Sequence, residues 1–395
     1  MSFIKLLILP ILCCMVCGCA HDKRADKDPV AEKKITKKSD VSESTINRID
    51  VSASEPTRDE MANLLSLNSY IRLSNKELIG EVERILIENE RIFILDNTPK
   101  IVCFDILGNF LFTISKKGPG PEEYADMTDF ALDEKNNRIV ILDNRKRKLI
   151  FYDIISGVFL SEKTFNDYYA RGLAVIDGTF YFSNPNKDAY EPAKEKNFYL
   201  LYSETGSKID STFLPHDAVS EFNFSLGDGH PFFYNGSKLL YNTAFNSVVY
   251  ELMSNQIMPV YQIDLPNQLP INEIESKIDH GSLVHSNYSY GLTDIFEADS
   301  VLYFTFSKNR FIASAFYDLT NNRLLYCGYR VLGSLRRDIP FYSLIRGVYK
   351  NKFYSVISSD MILSAIKNSR GMFLKELTEV SEDDNPIIAF YKVHK

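Results

Sequence analysis

The sequence predicts an all-β fold, a six-bladed β-propeller of four-stranded antiparallel blades. Three observations predict it. First, residues 84–114 and 129–160 carry the same order of apolar runs and acidic turns, with Asp96 and Asp143 offset by 47 residues and Asp105 and Asp153 by 48. A repeat of about 40–50 residues made of four short strands is the signature of a propeller blade. Second, alternating apolar runs punctuated by Gly, Asn and Asp recur to the end of the chain, and no long helical periodicity precedes residue 360. Third, residues 61–395 leave 335 positions for folding, room for six units of about 45–55 residues.

The N-terminus reads as an export signal. Lys5 precedes the apolar run Leu6–Val16 and then Val16-Cys17-Gly18-Cys19, too short for a transmembrane helix of about 20 residues and laid out as a bacterial signal peptide. Gly18 before Cys19 resembles a lipobox, although Cys17 stands where Ala or Ser is usual. The expected organisation is a signal peptide over 1–18, lipidation at Cys19, a flexible tether over 19–60 and the propeller over 61–395. The tether is rich in Lys, Asp, Glu and Ser, with almost no bulky apolar residue before Ile46, so it cannot bury enough surface to offset its ordering entropy.

Four of the six cysteines lie in the export signal, which leaves Cys103 and Cys327. They fall in blades too far apart for the α-carbon spacing of a disulfide, so two buried free thiols are expected. No Cys/His spacing for zinc is present. The net charge of −7 argues against nucleic acid, which needs a basic footprint.

The blades follow in order. The first spans 78–115 and the second 124–165. The third runs from Arg171-Gly172-Leu173-Ala174-Val175 through the turn Asp177-Gly178 to Phe180–Phe182 and Phe198–Tyr202. The fourth holds Phe232–Tyr234, the turn Asn235-Gly236, Leu239–Asn242 and Val248–Leu252. The fifth contains Asp294–Phe296, Val301–Phe306, Ala313–Asp318 and Arg323–Arg330. The sixth has Ile345–Tyr349, Lys352–Ile357 and, after an insertion, Pro386–Val393. Asn-Gly between apolar runs is a strong hairpin signal. Tyr70–Leu73 is expected to pair with the last blade, closing the ring and hiding the edges of the sheet. The many Phe and Tyr side chains are read first as packing between blades. Two connections are unusually long, 184–197 and 358–385, and the second holds two short helical turns at 361–366 and 372–377. Both belong to the face that carries the crossings between blades, where long loops often bind ligands.

Gly118-Pro119-Gly120-Pro121-Glu122-Glu123-Tyr124, Asp129–Asp133, Ile139–Asp143 and Leu149–Asp153 resemble an NHL-type repeat. With the lipobox in front, the whole resembles the six-bladed β-propeller lipoproteins of Gram-negative anaerobes. The match is strong over 78–165 and rests on length and order elsewhere. That resemblance implies a fold and an envelope location, on the periplasmic or the surface face of the outer membrane, and no particular activity. The Gly-rich crossing lacks the Gly-Lys-Ser/Thr ending of a phosphate loop and precedes a strand, so its Gly and Pro serve a sharp turn.

Polar residues on innermost strands should point to the central channel. Blade alignment singles out Arg84, Asp129, Arg171, Asp294 and Arg346, joined by Asp228 and His230 of the loop entering the fourth blade. A ring of Arg and Asp could hold a carboxylate or a sugar acid bidentately; structural ion pairs between blades are the favoured alternative. His280 and His285 lie in the crossing 264–291 with no helix evident, and solvated loop histidines are the default. Arg145-Lys146-Arg147-Lys148 reads as a solvated hairpin tip. No nucleophile elbow or calcium loop occurs, and no metal or cofactor is expected. The expected function is a non-catalytic, monomeric, lipid-anchored binding module for a glycan, a peptide or an envelope protein. The alternative is a propeller enzyme, a metal-dependent lactonase or a polysaccharide lyase or hydrolase, built on Asp129, Asp294 and His230.

Overall fold

The computed structural model describes residues 46–54, 64–185, 197–216, 230–243, 245–275, 279–329, 344–368 and 379–395, within the compact unit Val41–Lys395. The signal peptide, Cys19, most of the tether, Asp228, most of the 184–197 connection and the helical turn expected at 372–377 lie outside the described residues.

In chain order the strands are β1 (Asn47–Asp50), β2 (Leu65–Arg72), β3 (Val82–Glu88), β4 (Arg91–Asp96), β5 (Ile101–Asp105), β6 (Phe110–Ile114), β7 (Asp129–Asp133), β8 (Arg138–Asp143), β9 (Lys148–Asp153), β10 (Phe159–Thr164), β11 (Gly172–Ile176), β12 (Thr179–Ser183), β13 (Phe198–Ser203) and β14 (Ser211–Pro215). They continue with β15 (Phe232–Asn235), β16 (Lys238–Tyr241), β17 (Val248–Met253), β18 (Gln256–Asp264), β19 (Ser289–Ala298), β20 (Val301–Lys308), β21 (Phe311–Asp318), β22 (Arg323–Tyr329), β23 (Ile345–Tyr349), β24 (Lys352–Ile357) and β25 (Ile387–Val393). Among the described residues three short α-helices join them, α1 (Ile271–Glu275), α2 (His280–His285) and α3 (Ser359–Asn368). The helix expected at 361–366 is therefore present as α3, and a helix stands at His280–His285 where none was evident in the sequence. Asp279 caps it by accepting from Ser282 N.

The fold is a β-propeller of four-stranded antiparallel blades. Six separate blades were expected; among the described residues the structure has four, β3–β6, β7–β10, β11–β14 and β19–β22, and the other described strands join in one nine-stranded sheet. That sheet contains the meanders β15–β18 and β23–β25. Their innermost strands approach closely enough for one parallel pair, Asn235↔Val348, to form between them. The expected closure is present: β2 runs antiparallel to β25, with Tyr70 opposite Ala389, so the last meander draws its outer strand from the beginning of the domain.

β1 corrects the tether boundary. Asn47–Asp50 pairs parallel with β18, with Ile49 opposite Ile263, and buries Ile49 and the following Val51. Two apolar residues at alternate positions, too few to stand out in a polar stretch, suffice to hold a strand against an edge already present.

The core lies between sheets. Phe93, Ile101 and Cys103 of the first blade pack with Phe130, Ile139 and Ile141 of the second. Phe180, Phe182 and Leu173 meet Leu142 and Phe151, and Phe304, Phe316 and Phe353 lie in the largest cluster. Burying such rings is worth about 1.5–3 kcal/mol each, and the aromatic residues serve as expected. Cys103 and Cys327 are buried and form no disulfide, and burial pushes the Cys103 thiol up to about 12.

The duplicated acidic positions have duplicated roles. Asp96 closes β4 and accepts from Gly80 N (2.8 Å) in the preceding crossing and from Thr98 N (3.0 Å) in the following turn. Asp143 closes β8 and accepts from Ala125 N (2.7 Å) and Lys146 N (2.9 Å). Asp105 and Asp153 each cap the turn into the outer strand, accepting from Leu107 N and Asn109 N and from Ile155 N and Ser156 N. The basic run is not a solvated tip. Lys146 Nζ donates to Glu123 O at 3.1 Å, and Lys148, itself buried, donates to Pro121 O at 3.0 Å. These two side chains bracket the Gly/Pro crossing and tie its carbonyls to the turn between β8 and β9.

Candidate functional site

Three innermost strands break register close to the hub. In β3 the pairing passes from Val82↔Asp96 to Arg84↔Leu95, leaving Glu83 as an extra residue. In β23 it passes from Ile345↔Ser355 to Gly347↔Tyr354, leaving Arg346. In β19 it passes from Thr293↔Thr305 to Phe296↔Tyr303, so Asp294 and Ile295 together oppose one residue. Asp294 has φ +50°, a left-handed conformation that Asp tolerates better than most residues. A bulge re-aims the side chain it carries, and Glu83, Asp294 and Arg346 all line a small cavity at the hub.

That cavity, of about 60 Å³, is bounded also by Arg84, His230, Phe232, Tyr234 and Tyr354. Arg84 is the best-defined polar group there. Its Nη1 pairs with Asp129 and donates to Phe130 O at 2.6 Å, and its guanidinium lies 5.5 Å from the Phe130 ring centroid. Its Nη2 is buried and makes no hydrogen bond. Asp129 is fully buried and accepts from Phe130 N and Leu173 N, both at 2.7 Å, besides Arg84. His230 Nδ1 stands 3.6 Å from the same carboxylate. Burial pushes the Tyr234 hydroxyl up, and the nearby Arg84 charge acts in the opposite direction.

A larger cleft of about 700 Å³ lies on the crossing face. Its wall is the crossing Leu78–Val82, the first residues of β23, the inner half of β19 with Thr305–Ser307 of β20, and both ends of the 358–386 insertion. Asp294 and Arg346 line both the cleft and the hub cavity. Leu78, Phe306, Ile312, Leu344 and Met361 give it apolar surface, and Glu81, Glu382, Asp383 and Asp384 an acidic rim. Asp294 accepts from Thr305 Oγ1 at 2.9 Å, and Arg346 Nη2 donates to Val82 O at 3.1 Å.

Asn385 fixes one wall. It is buried, accepts from Ile79 N (2.8 Å), and donates through Nδ2 to Ser74 O (2.9 Å) and Glu77 O (2.7 Å). Its own N donates to Asn75 Oδ1. The end of the insertion is thereby tied to the crossing that opens the first blade.

Of the residues chosen from sequence, the structure brings together Arg84, Asp129 and His230, and places Asp294 and Arg346 beside them. Arg171 is exposed and lines neither cavity; Asp228 lies outside the described residues. The ion pair Arg84–Asp129 joins two blades, as the structural alternative expected. The alternating ring for a carboxylate is not what forms: Glu83, Asp129 and Asp294 outnumber the guanidinium groups of Arg84 and Arg346. Sequence reasoning missed Glu81, Glu83 and the Glu382–Asp384 run; the exposed position of both crossings in a propeller was the one available signal. His285 turns inward on its own helix, its Nδ1 2.7 Å from Gly281 O. Among the described residues no group of three His, Cys, Asp or Glu side chains is placed to hold a metal ion, and no helix is long and apolar enough to cross a membrane.

A family model for a domain of unknown function, DUF4934, matches residues 45–392. The chain belongs to the DUF4934 family. Its matched range begins just before β1, in keeping with a fold that starts earlier than residue 61. The NHL-type likeness of 118–153 stays a local resemblance beside that match. Among solved structures, this DUF4934 protein is similar to one described as exported, from Bacteroides fragilis, with TM-score 0.74 and 19% identity over 88% of this chain and 100% of the other. It is also similar to a DUF4221 family member from Bacteroides vulgatus, with TM-score 0.52 and 12% identity over 85% and 99%. At these identities the likeness shows the fold. No curated protein matches the chain.

Proposed function

We propose that this DUF4934 protein is a non-catalytic binding module of the cell envelope, carried on a lipid at Cys19, that takes its ligand in the cleft at the mouth of the propeller hub. The observation that carries this reading is the cleft itself: about 700 Å³, within the range of ligand sites, with two charged groups aimed into it by strand bulges. The nine-stranded sheet is read as two blades joined at Asn235↔Val348, which makes a ring of six around the hub. The export signal in the sequence and the exported relative from Bacteroides fragilis support a location outside the inner membrane.

Catalysis through Asp129, Asp294 and His230 is disfavoured by geometry. Asp129 accepts from a guanidinium and two backbone amides, which leaves it a poor general base. The ligand classes are an envelope glycan, a peptide or a protein segment.

A thermal-shift screen of the mature chain against neutral oligosaccharides, short peptides and divalent metals, with a chelator control, tests the reading. A ligand at about 100 times its dissociation constant adds about 2.7 kcal/mol of stability. The expected result is a metal-independent shift that Ile312→Arg, in the cleft wall, abolishes. A shift that needs metal, or one that Ile312→Arg leaves intact, overturns it.

A further inference from the structure

The cleft spans three neighbouring parts of the ring. β23 lies between β19 and β3, so the cleft runs from the blade β19–β22, over the last meander, to the crossing that opens the first blade. All three parts supply apolar surface. Ile312 is 38% and Leu78 54% exposed, and Met361 of α3 is half-buried. Singly such side chains are ordinary; gathered around one concavity they mark a binding surface.

This wall suits aliphatic groups better than sugar rings. Sugars are held by stacking on open aromatic faces, and the single aromatic ring among the described lining residues, Phe306, is 1% exposed. Leucine, isoleucine, valine or methionine side chains instead gain from burial against Leu78, Ile312 and Met361 without needing a flat partner.

The charge around the mouth is one-sided. Among the described lining residues the carboxylates are Glu81, Asp294, Glu382, Asp383 and Asp384, against the one cation Arg346. Some of these are already engaged. Asp384 pairs with Arg72 at 3.5 Å and accepts from Asn75 Nδ2 at 2.6 Å. Asp294 accepts from Thr305 Oγ1, and Arg346 donates to Val82 O. Glu81, Glu382 and Asp383 are exposed, and among the described residues no Lys, Arg or His pairs with them. The turn that carries two of the three is fixed in advance: Ser381 N donates to Asp384 Oδ2 at 3.0 Å, Asp384 N to Ser381 O at 3.2 Å, and Ser359 Oγ to Glu382 O at 3.0 Å. A fixed negative rim attracts cations and repels anions within a Debye length of about 8–10 Å.

A lone metal ion does not match this arrangement, since among the described residues no three ligating groups converge. A polyamine would pair with the rim and leave the apolar wall wet. A peptide segment that carries both kinds of side chain meets both surfaces.

We propose that the cleft docks a short basic segment of a partner protein in which Lys or Arg alternate with aliphatic residues. The aliphatic side chains enter between Leu78, Ile312 and Met361, and the cations pair with Glu81, Glu382 and Asp383. This inference rests on the cleft being the binding site and names the chemistry of its ligand.

The test titrates the chain with a library of six-residue peptides in which Lys or Arg alternate with Leu, Ile, Val or Met, read by calorimetry. Two control libraries replace the cations by Glu or the aliphatic residues by Ser. At least one basic–aliphatic peptide binds, at least tenfold tighter than its Glu and Ser counterparts, and more weakly at 500 mM than at 50 mM salt. The triple variant Glu81→Gln/Glu382→Gln/Asp383→Asn weakens it at least fivefold, Ile312→Arg abolishes it, and Glu204→Gln, in the turn between β13 and β14, changes it less than twofold. The substituted side chains are exposed, so the fold is retained, and circular dichroism checks this. Equal or tighter binding of the Glu or Ser counterparts overturns the proposal, as does indifference to the triple variant. If an acidic peptide or a neutral oligosaccharide binds instead and Ile312→Arg abolishes that binding, the cleft reading stands while the basic segment falls. If basic–aliphatic peptides bind equally well to Ile312→Arg, or if nothing binds, both fall.

Discussion

Asp294 and Arg346 each stand at a register break of an innermost strand, and each lines both the hub cavity and the cleft above it. Regular pairing would alternate side chains strictly between the two faces of a blade. The extra residue breaks that alternation and turns a charged group from the packing between blades to the space at the hub. The energetic consequence is a site built on strands, with its polar groups fixed before any ligand arrives.

The Arg84–Asp129 pair is predicted to hold two blades together. Asp129→Ala leaves a buried guanidinium unpaired and should cost about 3–5 kcal/mol, read by urea unfolding. The double variant Arg84→Met/Asp129→Leu should recover part of the loss. Full recovery is not expected, because Phe130 N and Leu173 N lose their acceptor.

Asn385 is predicted to matter more than its type suggests. Asn385→Ala removes the partners of Ile79 N, Ser74 O and Glu77 O and should destabilise the chain by about 1–3 kcal/mol. It should also speed amide exchange over 74–82, the crossing that forms one wall of the cleft. Unchanged exchange there would separate Asn385 from the shape of the site.

Stability should fall in acid through the turn carboxylates. Hydrogen bonds from the Ser156 side chain and backbone hold Asp153 below its usual 3.8. Burial acts upward at Asp105, but the combined hydrogen bonds from Asn109, Leu107 and Gly108 leave it below that value as well. A folded-state value below the unfolded one means stabilisation that is complete above about pH 4–5 and is lost as pH falls through the folded value. Asp153→Asn should therefore lower the neutral plateau of a stability–pH curve and flatten its acid limb, leaving stability below the folded-state value nearly unchanged. An unaltered acid limb would contradict this.

Cys103 and Cys327 should resist thiol reagents in the folded chain and react together on unfolding, since the thiolate is the reactive form and burial holds Cys103 protonated. A colourimetric thiol count before and after denaturant checks it; reaction of Cys103 in the native protein would count against the packing described.

The strands were legible because their chemistry is local. Asp96 and Asp143 repeat in sequence because each accepts from one amide of the preceding crossing and one of the following turn, and Asp105 and Asp153 because each accepts from two amides of the turn into the outer strand. Closure by Tyr70–Leu73 was legible because an unpaired β25 needs a partner. The bulges at Glu83, Asp294 and Arg346 were not, since an extra residue in a strand has no signature until the partner strand is known. The parallel contact Asn235↔Val348 and the strand Asn47–Asp50 depend likewise on long-range placement. Five of the seven channel residues chosen from sequence meet around the hub, yet the acidic balance that shapes their chemistry comes from crossings with no repeat to reveal them.

The most direct test of the cleft as the binding site is hydrogen–deuterium exchange of the chain with and without the oligosaccharide or peptide that gives the largest thermal shift. Protection is predicted over 78–84, 291–296, 344–347 and 382–386, the segments that line the cleft and the hub cavity. Protection confined to the exposed apolar turns around Leu107 and Ile155 on the opposite ends of their blades, with none in those four segments, would contradict it.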